Sequence, residues 1–94
     1  MGLRFEWDDT KARTNLTKHR VSFEEASPVF GDELSLTVHD PEHSTEEDRF
    51  VMMGMSAFGK LLVVIHTDRA DRIRIISARP ASRRERKTYE ESQT

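Results

Sequence analysis

Eight basic side chains fall between Arg69 and Lys87 (Arg69, Arg72, Arg74, Arg79, Arg83, Arg84, Arg86 and Lys87), against only Asp71 and Glu85. Guanidinium forks grip phosphate oxygens in pairs, so this stretch suits contact with phosphate or with an acidic partner. The alternative is that Arg83, Arg84, Arg86 and Lys87 simply solvate one face of a helix. Groups able to move a proton are also present. His19 ends a helix beside Lys18, and an imidazole titrates near ~6.5, which suits acid–base work; a helix C-terminus also favours charged histidine for structural reasons alone. Tyr89 shares a helix face with Ala81 and Glu85 and could exchange a proton if neighbouring arginines lower its pKa. As an amphipathic ring it could equally close the core with its hydroxyl in water. Glu85 could act as a base, but its spacing from Ser82 first makes it a capping-box residue.

Composition narrows the chemistry. The 94 residues contain no cysteine, which removes thiolate nucleophiles, disulfides and thiolate metal sites. His39-Asp40-Pro41-Glu42-His43 holds ligand-type residues, but Pro41 breaks the helix that would align the histidines, so neither a metal nor another cofactor is expected. The net charge is only −2, yet it is polarised: nine acidic residues and no Lys or Arg lie between Glu24 and Asp48. Either charged stretch could meet a partner of opposite sign. The longest apolar run, Leu61 to Ile65, has five residues, far short of the roughly 20 that span a bilayer. Met1 to Glu6 has no signal-peptide core. A cytoplasmic protein without membrane contact is expected.

One domain over 1–94 must position these groups. Arg4 to Trp7 reads as a short strand. Asp8 or Asp9 can cap a helix over Lys11 to His19, with Ala12, Leu16 and Asn15 facing inward. Ser22 and Glu25 make a capping box for a short helix to Phe30, shortened by Pro28 and ended by Gly31-Asp32. Leu34 to Val38 alternates as a half-buried strand, and 41–48 is a polar loop. Arg49 to Met55 and Leu61 to Thr67 are strands joined by a turn over 56–59; the second is the most apolar and should be central. His66, alternating with Leu62 and Val64, should be a partly buried, satisfied histidine. Arg72 to Ala78 is the last strand, and Ser82 and Glu85 open a helix reaching Tyr89 or Glu91.

The expected architecture is α+β, an antiparallel sheet with helices packed on one face. Strict alternation puts Ile73, Ile75 and Ser77 on one side of the last strand and Arg74, Ile76 and Ala78 on the other. If helices cover one face, the other can display Arg74, or Arg79 at the strand end, beside Arg49. The alternative pairs Arg49 with Glu46 or Glu47, and Arg74 or Arg79 with sheet-edge carboxylates.

Several stretches, in order from Phe5 to about Tyr89, together resemble the BrnT family. They are Phe5-Glu6-Trp7-Asp8, Lys11, Asn15, Lys18-His19 and Val21-Ser22-Phe23-Glu24-Glu25-Ala26 with Phe30. Arg49, Gly54, His66-Thr67 and Arg74-Ile75-Ile76-Ser77-Ala78-Arg79 follow, then Ala81, Glu85 and Tyr89. The resemblance implies a RelE-like ribonuclease fold and a growth-inhibiting toxin of a type II toxin–antitoxin pair. It also implies a BrnA-like antitoxin that carries the DNA-binding element, so DNA would be met only through a toxin–antitoxin hetero-oligomer. Two positions depart from the family pattern. Arg20 and Ala70 stand where glycine is common, and a left-handed backbone there would cost about 1 kcal/mol.

On that footing the expected chemistry is metal-independent RNA cleavage by 2′-OH attack, which needs a proton acceptor, cations around the phosphate and a proton donor. The expected catalytic residues are Arg79, Tyr89, His19 and Glu85, with Arg49, Arg74, Lys18 and Arg83 as RNA phosphate contacts. Trp7 and Phe5 could stack on a base but are expected in the core. The competing function is a non-catalytic module whose basic C-terminal stretch binds an acidic partner or nucleic acid.

Overall fold

Three side-chain caps set where the helices begin in the computed structural model, which describes residues 3–43 and 47–93. Asp8 Oδ1 accepts the Lys11 N–H at 2.9 Å and opens α1 (Asp9–His19). Ser22 Oγ accepts the Glu25 N–H at 2.9 Å and opens α2 (Phe23–Ala26), which tightens into a 3-10 turn over Ser27–Gly31. Ser82 and Glu85 form the reciprocal capping box that opens α3 (Arg83–Glu91). None of the described helices is long and apolar enough to cross a membrane.

The strands are β1 (Arg4–Glu6), β2 (Leu36–Asp40), β3 (Arg49–Met55), β4 (Leu61–Arg69) and β5 (Arg72–Pro80), in one sheet of order β1-β5-β4-β3-β2. β4 is central, as its apolar run requires, and Leu61 to Val64 are all buried. Antiparallel pairings link β2 through β5, but β1 lies parallel to β5, with Arg4, Phe5 and Glu6 opposite Arg72, Ile73 and Arg74. The expectation of an antiparallel sheet is corrected to that extent. Hairpins force antiparallel pairing, whereas the long connection from β1 to β5 leaves either direction open. The parallel choice seats Phe5 on Phe30 and leads Trp7 onto Phe23, with ring centroids 5.1 and 5.8 Å apart.

α1 and α2 cover one face, where Val21, Phe23, Ala26 and Val29 meet Leu62, Val64, Ile75 and Ala78. α3 does not join them. Its Glu85 and Thr88 border Leu36, Val38, Val51, Met53 and Val63, which carry the opposite strand parity. The expectation of helices on one face is therefore corrected: β4 is apolar on both sides, so its second face also requires cover.

Three local differences follow from hydrogen bonding. β2 begins two residues later than alternation predicts, because Asp32 holds the Leu34 N–H at 2.9 Å and its carbonyl holds the Ser35 N–H. Leu16, expected inward, is 50% exposed, while its neighbour Asn15 is buried. In β5 a bulge intervenes: Ile65 pairs with Ser77 but His66 with Ile75, leaving Ile76 as the extra residue. The alternation resets there, so Ala78 joins Ile75 in the core and Arg79 moves to the face of Arg74. Arg20 and Ala70 do adopt left-handed backbone, at φ 60° and 54°.

Candidate phosphate-binding face and cleft

The sheet register builds the site. On the face away from α1, one cross-strand row reads Asp40, Arg49, Thr67, Arg74, Glu6, and the next reads Arg69, Arg72, Arg4. Five arginines from β1, β3, β4 and β5 thus share one end of one face. Arg49 and Arg74 stand two strands apart with Thr67 between them, roughly 10 Å along the sheet. Thr67 is buried, and its hydroxyl donates to the Asp48 carbonyl at 2.5 Å, fixing the loop that enters β3.

Glu6 is the hub of this end. Its Oε2 accepts from Arg74 Nη1 at 2.8 Å and lies 3.6 Å from Arg69 Nη1. The hydrogen bond from Arg74 holds the Glu6 carboxyl below its ordinary value of 4.5 against partial burial, with the charges of Arg74, Arg69 and Arg72 adding to the effect. Arg69 also reaches Glu47 at 3.6 Å, and Arg4 reaches Asp71 at 3.5 Å. Glu47, offered above as a partner for Arg49, is thus turned toward Arg69, and Glu46 lies outside the described residues.

Arg79 lies on the same face but in the row of Leu36, Met53 and Val63, near α3. Its guanidinium makes two 2.8 Å bonds to Glu85, one to each oxygen, and Glu85 Oε1 also accepts the Ser82 N–H at 2.8 Å. Arg79 hydrogen bonding brings the Glu85 carboxyl down to about 2. A carboxylate so fully engaged is a poor proton acceptor, and the pair fastens α3 to β5. Tyr89 is buried, and its hydroxyl donates to Asp32 Oδ2 at 2.7 Å. Burial first, then the Asp32 carboxylate, push its pKa up to about 12, opposite to the lowering by arginines that proton transfer would need. Arg83 is exposed on the first turn of α3, away from the Glu6 row.

His19 and Lys18 line a different feature. β1 ends opposite Arg74, so the edge of β5 beyond it faces α1 across a cleft of about 250 Å³ bordered by Thr10, Lys11, Thr14, Asn15, Lys18, His19, Ile76 and Ser77. Asn15 closes its floor. Its amide donates to the carbonyls of Ala78 at 2.7 Å and Val21 at 2.9 Å and accepts the Ala78 N–H at 3.0 Å, completing the ladder where β1 stops. Lys11 and Lys18 stand one above the other at i, i+7 on the helix.

His66 is not in either place. It is 5% exposed, stacked on Phe50 and edge-on to Phe30, and burial lowers its pKa below 6.5. The expectation of a buried histidine holds, and among the described residues its Nδ1 has no hydrogen-bond partner. His39 pairs with Asp48 at 3.1 Å. Among the described residues no three His, Asp or Glu side chains gather as a metal site.

This face and cleft fall within the segment 7–85, with β1 just before it, and that segment matches the family model described as the ribonuclease toxin BrnT of type II toxin–antitoxin systems. The chain belongs to the BrnT family. A solved structure agrees: the BrnT ribonuclease toxin of Brucella abortus is similar at TM-score 0.67 and 25% identity, over 87% of this chain and 100% of that one. No curated protein matches the chain.

Reading the BrnT-family residues one by one does not find the Glu6–Arg69–Arg74 cluster, because Glu6 reaches β5 only through the parallel pairing of β1. Lys11 and Lys18 fall at i, i+7 of a helix over Lys11 to His19, but the β5 edge they face is set by where β1 ends.

Proposed function

We propose that this BrnT-family chain is a ribonuclease toxin that cleaves RNA without a metal, by attack of a 2′-OH on the adjacent phosphorus, and is neutralised by a BrnA-like antitoxin. The observation that carries the reading is the five-arginine end of the sheet face, on rigid strands and partly open to solvent. Such preorganised guanidiniums stabilise a phosphate that gains charge in the transition state. The same reading takes the sheet with its three covering helices as a RelE-like fold. It leaves contact with DNA to the antitoxin within a hetero-oligomer.

The reading gives Arg49 and Arg74 to the reacting phosphate. Lys18 and His19, with Lys11, hold neighbouring backbone: α1 spans about 16 Å, which separates its C-terminus from the end of β1. Arg83 extends the positive surface toward RNA farther along. Glu85 and Tyr89 serve the fold, and Arg79 acts on chemistry only through the position of α3.

The test is RNA incubated with purified protein in EDTA, with the cut ends mapped. Cleavage leaving 2′,3′-cyclic phosphate and 5′-hydroxyl ends is expected, and Arg49→Ala with Arg74→Ala should lower the rate at least a hundredfold. Growth arrest on expression, without RNA cleavage and without loss in that double variant, would instead mark a non-catalytic binding module. Co-purification with the product of the adjacent reading frame tests the antitoxin.

A further inference from the structure

We propose that Glu6 is the general base of this site, the group that takes the proton from the attacking 2′-OH. The inference rests on the ribonuclease reading above and assigns a catalytic residue to it.

The carboxylates held by other side chains differ in what they have left to offer. Both oxygens of Glu85 are consumed by Arg79, one of them also by the Ser82 N–H. Asp32 accepts from Tyr89, the Met55 N–H and the Leu34 N–H. Asp71 stands out in solvent with its side chain 69% exposed. Glu25 is buried and accepts from Ser56. Glu6 alone of these combines partial exposure, 24% of its side chain, with one oxygen shared by guanidiniums of two other strands. Its other oxygen, Oε1, makes no hydrogen bond with the described residues. Two arginines hold the carboxylate while that oxygen can receive a proton, and Arg49 stands in the same cross-strand row on the far side of Thr67.

The step balances without further reagents. Glu6 takes the 2′-OH proton, O2′ bonds to phosphorus, and the bond from phosphorus to O5′ breaks. The departing oxygen is protonated from solvent, leaving a 2′,3′-cyclic phosphate. Arg69 and Arg74 are placed to neutralise charge on both the carboxylate and the phosphate. The charged groups that face Glu6 are Arg69 from β4, Arg72 and Arg74 from β5, and Arg4 on its own strand, with Glu47 competing for Arg69.

Glu6→Gln keeps the size of the side chain and an oxygen for Arg74 but cannot accept the proton. It is expected to slow RNA cleavage by about 10²–10⁴-fold while binding of a 2′-deoxy oligonucleotide stays within about threefold. Cleavage by E6Q within threefold of the parent would overturn the assignment of Glu6 and leave the ribonuclease reading intact. A parent protein that cuts no RNA would overturn both. Should E6Q fold poorly, the parent's cleavage rate against pH decides. An acid limb lying below about 4.5, on protein shown folded by circular dichroism, supports a carboxylate base held by arginines. An acid limb near 6.5 would point to histidine and refute it.

Discussion

Replacing Asn15 with alanine is expected to cost about 3 kcal/mol of folding stability, within a range of about 2–5. The magnitude follows from what the amide does. It makes three hydrogen bonds, at 2.7, 2.9 and 3.0 Å, to the carbonyls of Ala78 and Val21 and the N–H of Ala78, and Asn15 itself is 5% exposed. Removing it strands three main-chain groups, each worth about 1–3 kcal/mol when buried without a partner. Water entering from the cleft recovers part of this, so the sum lies below the upper bound. For a domain of this size 1 kcal/mol shifts Tm by about 4–8 °C, giving a fall of roughly 10–25 °C. Asn15→Asp should be worse than alanine at pH 7, because a carboxylate would face two carbonyl oxygens and lose both donors. Urea unfolding followed by circular dichroism measures both. A Tm for N15A within 3 °C of the parent would refute the claim that this amide stands in for the missing strand.

Ala70→Gly, at φ 54° in the β4–β5 turn, should stabilise by about 0.5–1 kcal/mol through relief of left-handed strain, read as a higher urea midpoint with unchanged slope; a lower midpoint refutes it. Tyr89→Phe should destabilise by about 1.5–2 kcal/mol by taking one donor from the Asp32 carboxylate, yet leave RNA cleavage within threefold. Burial raises the Asp32 carboxyl, but the bonds from Tyr89, Met55 and Leu34 outweigh it, so its folded pKa lies below 3.8 and its stabilisation is lost as pH falls through that folded value. Y89F should therefore unfold at a higher pH in an acid titration. His66 has a folded pKa below 6.5, so the unfolded state binds more protons below that pH and stability drops as pH falls from about 6.5 toward the folded value. His66→Phe should flatten that slope between pH 7.5 and 5 in urea titrations, and an unchanged slope counts against the assignment.

What could be read from the residues depended on whether the cause was local. Ser82 and Glu85 announced the start of α3 because a capping box is closed within four residues. The apolar run at 61–65 placed β4 at the centre of the sheet, and Trp7 went to the core as its type suggests. Features made by long-range pairing were not legible. Nothing near Phe5 shows that β1 lies parallel to a strand 68 positions away in register, and so the Glu6 cluster stayed hidden. The bulge at Ile76 does leave a mark, since the adjacent Ile75-Ile76 interrupts the polar–apolar alternation of 72–79, but a strict period-2 reading of the strand runs straight across it. That one residue decides which face carries Arg79. Tyr89 shows the limit of spacing arguments: its helix face was right, but the carboxylate it meets comes from Asp32, far off in sequence.

The parallel pairing of β1 with β5 also governs when the Glu6 cluster can form. Glu6 precedes Arg69 and Arg74 by 63 and 68 residues, so synthesis delivers the carboxylate well before its cations. Contacts so distant along the chain close late in folding. Chains that stop short of β5 would carry the carboxylate without Arg74 and without the strand that pairs with β1. The cluster is therefore assembled only after synthesis has passed β5.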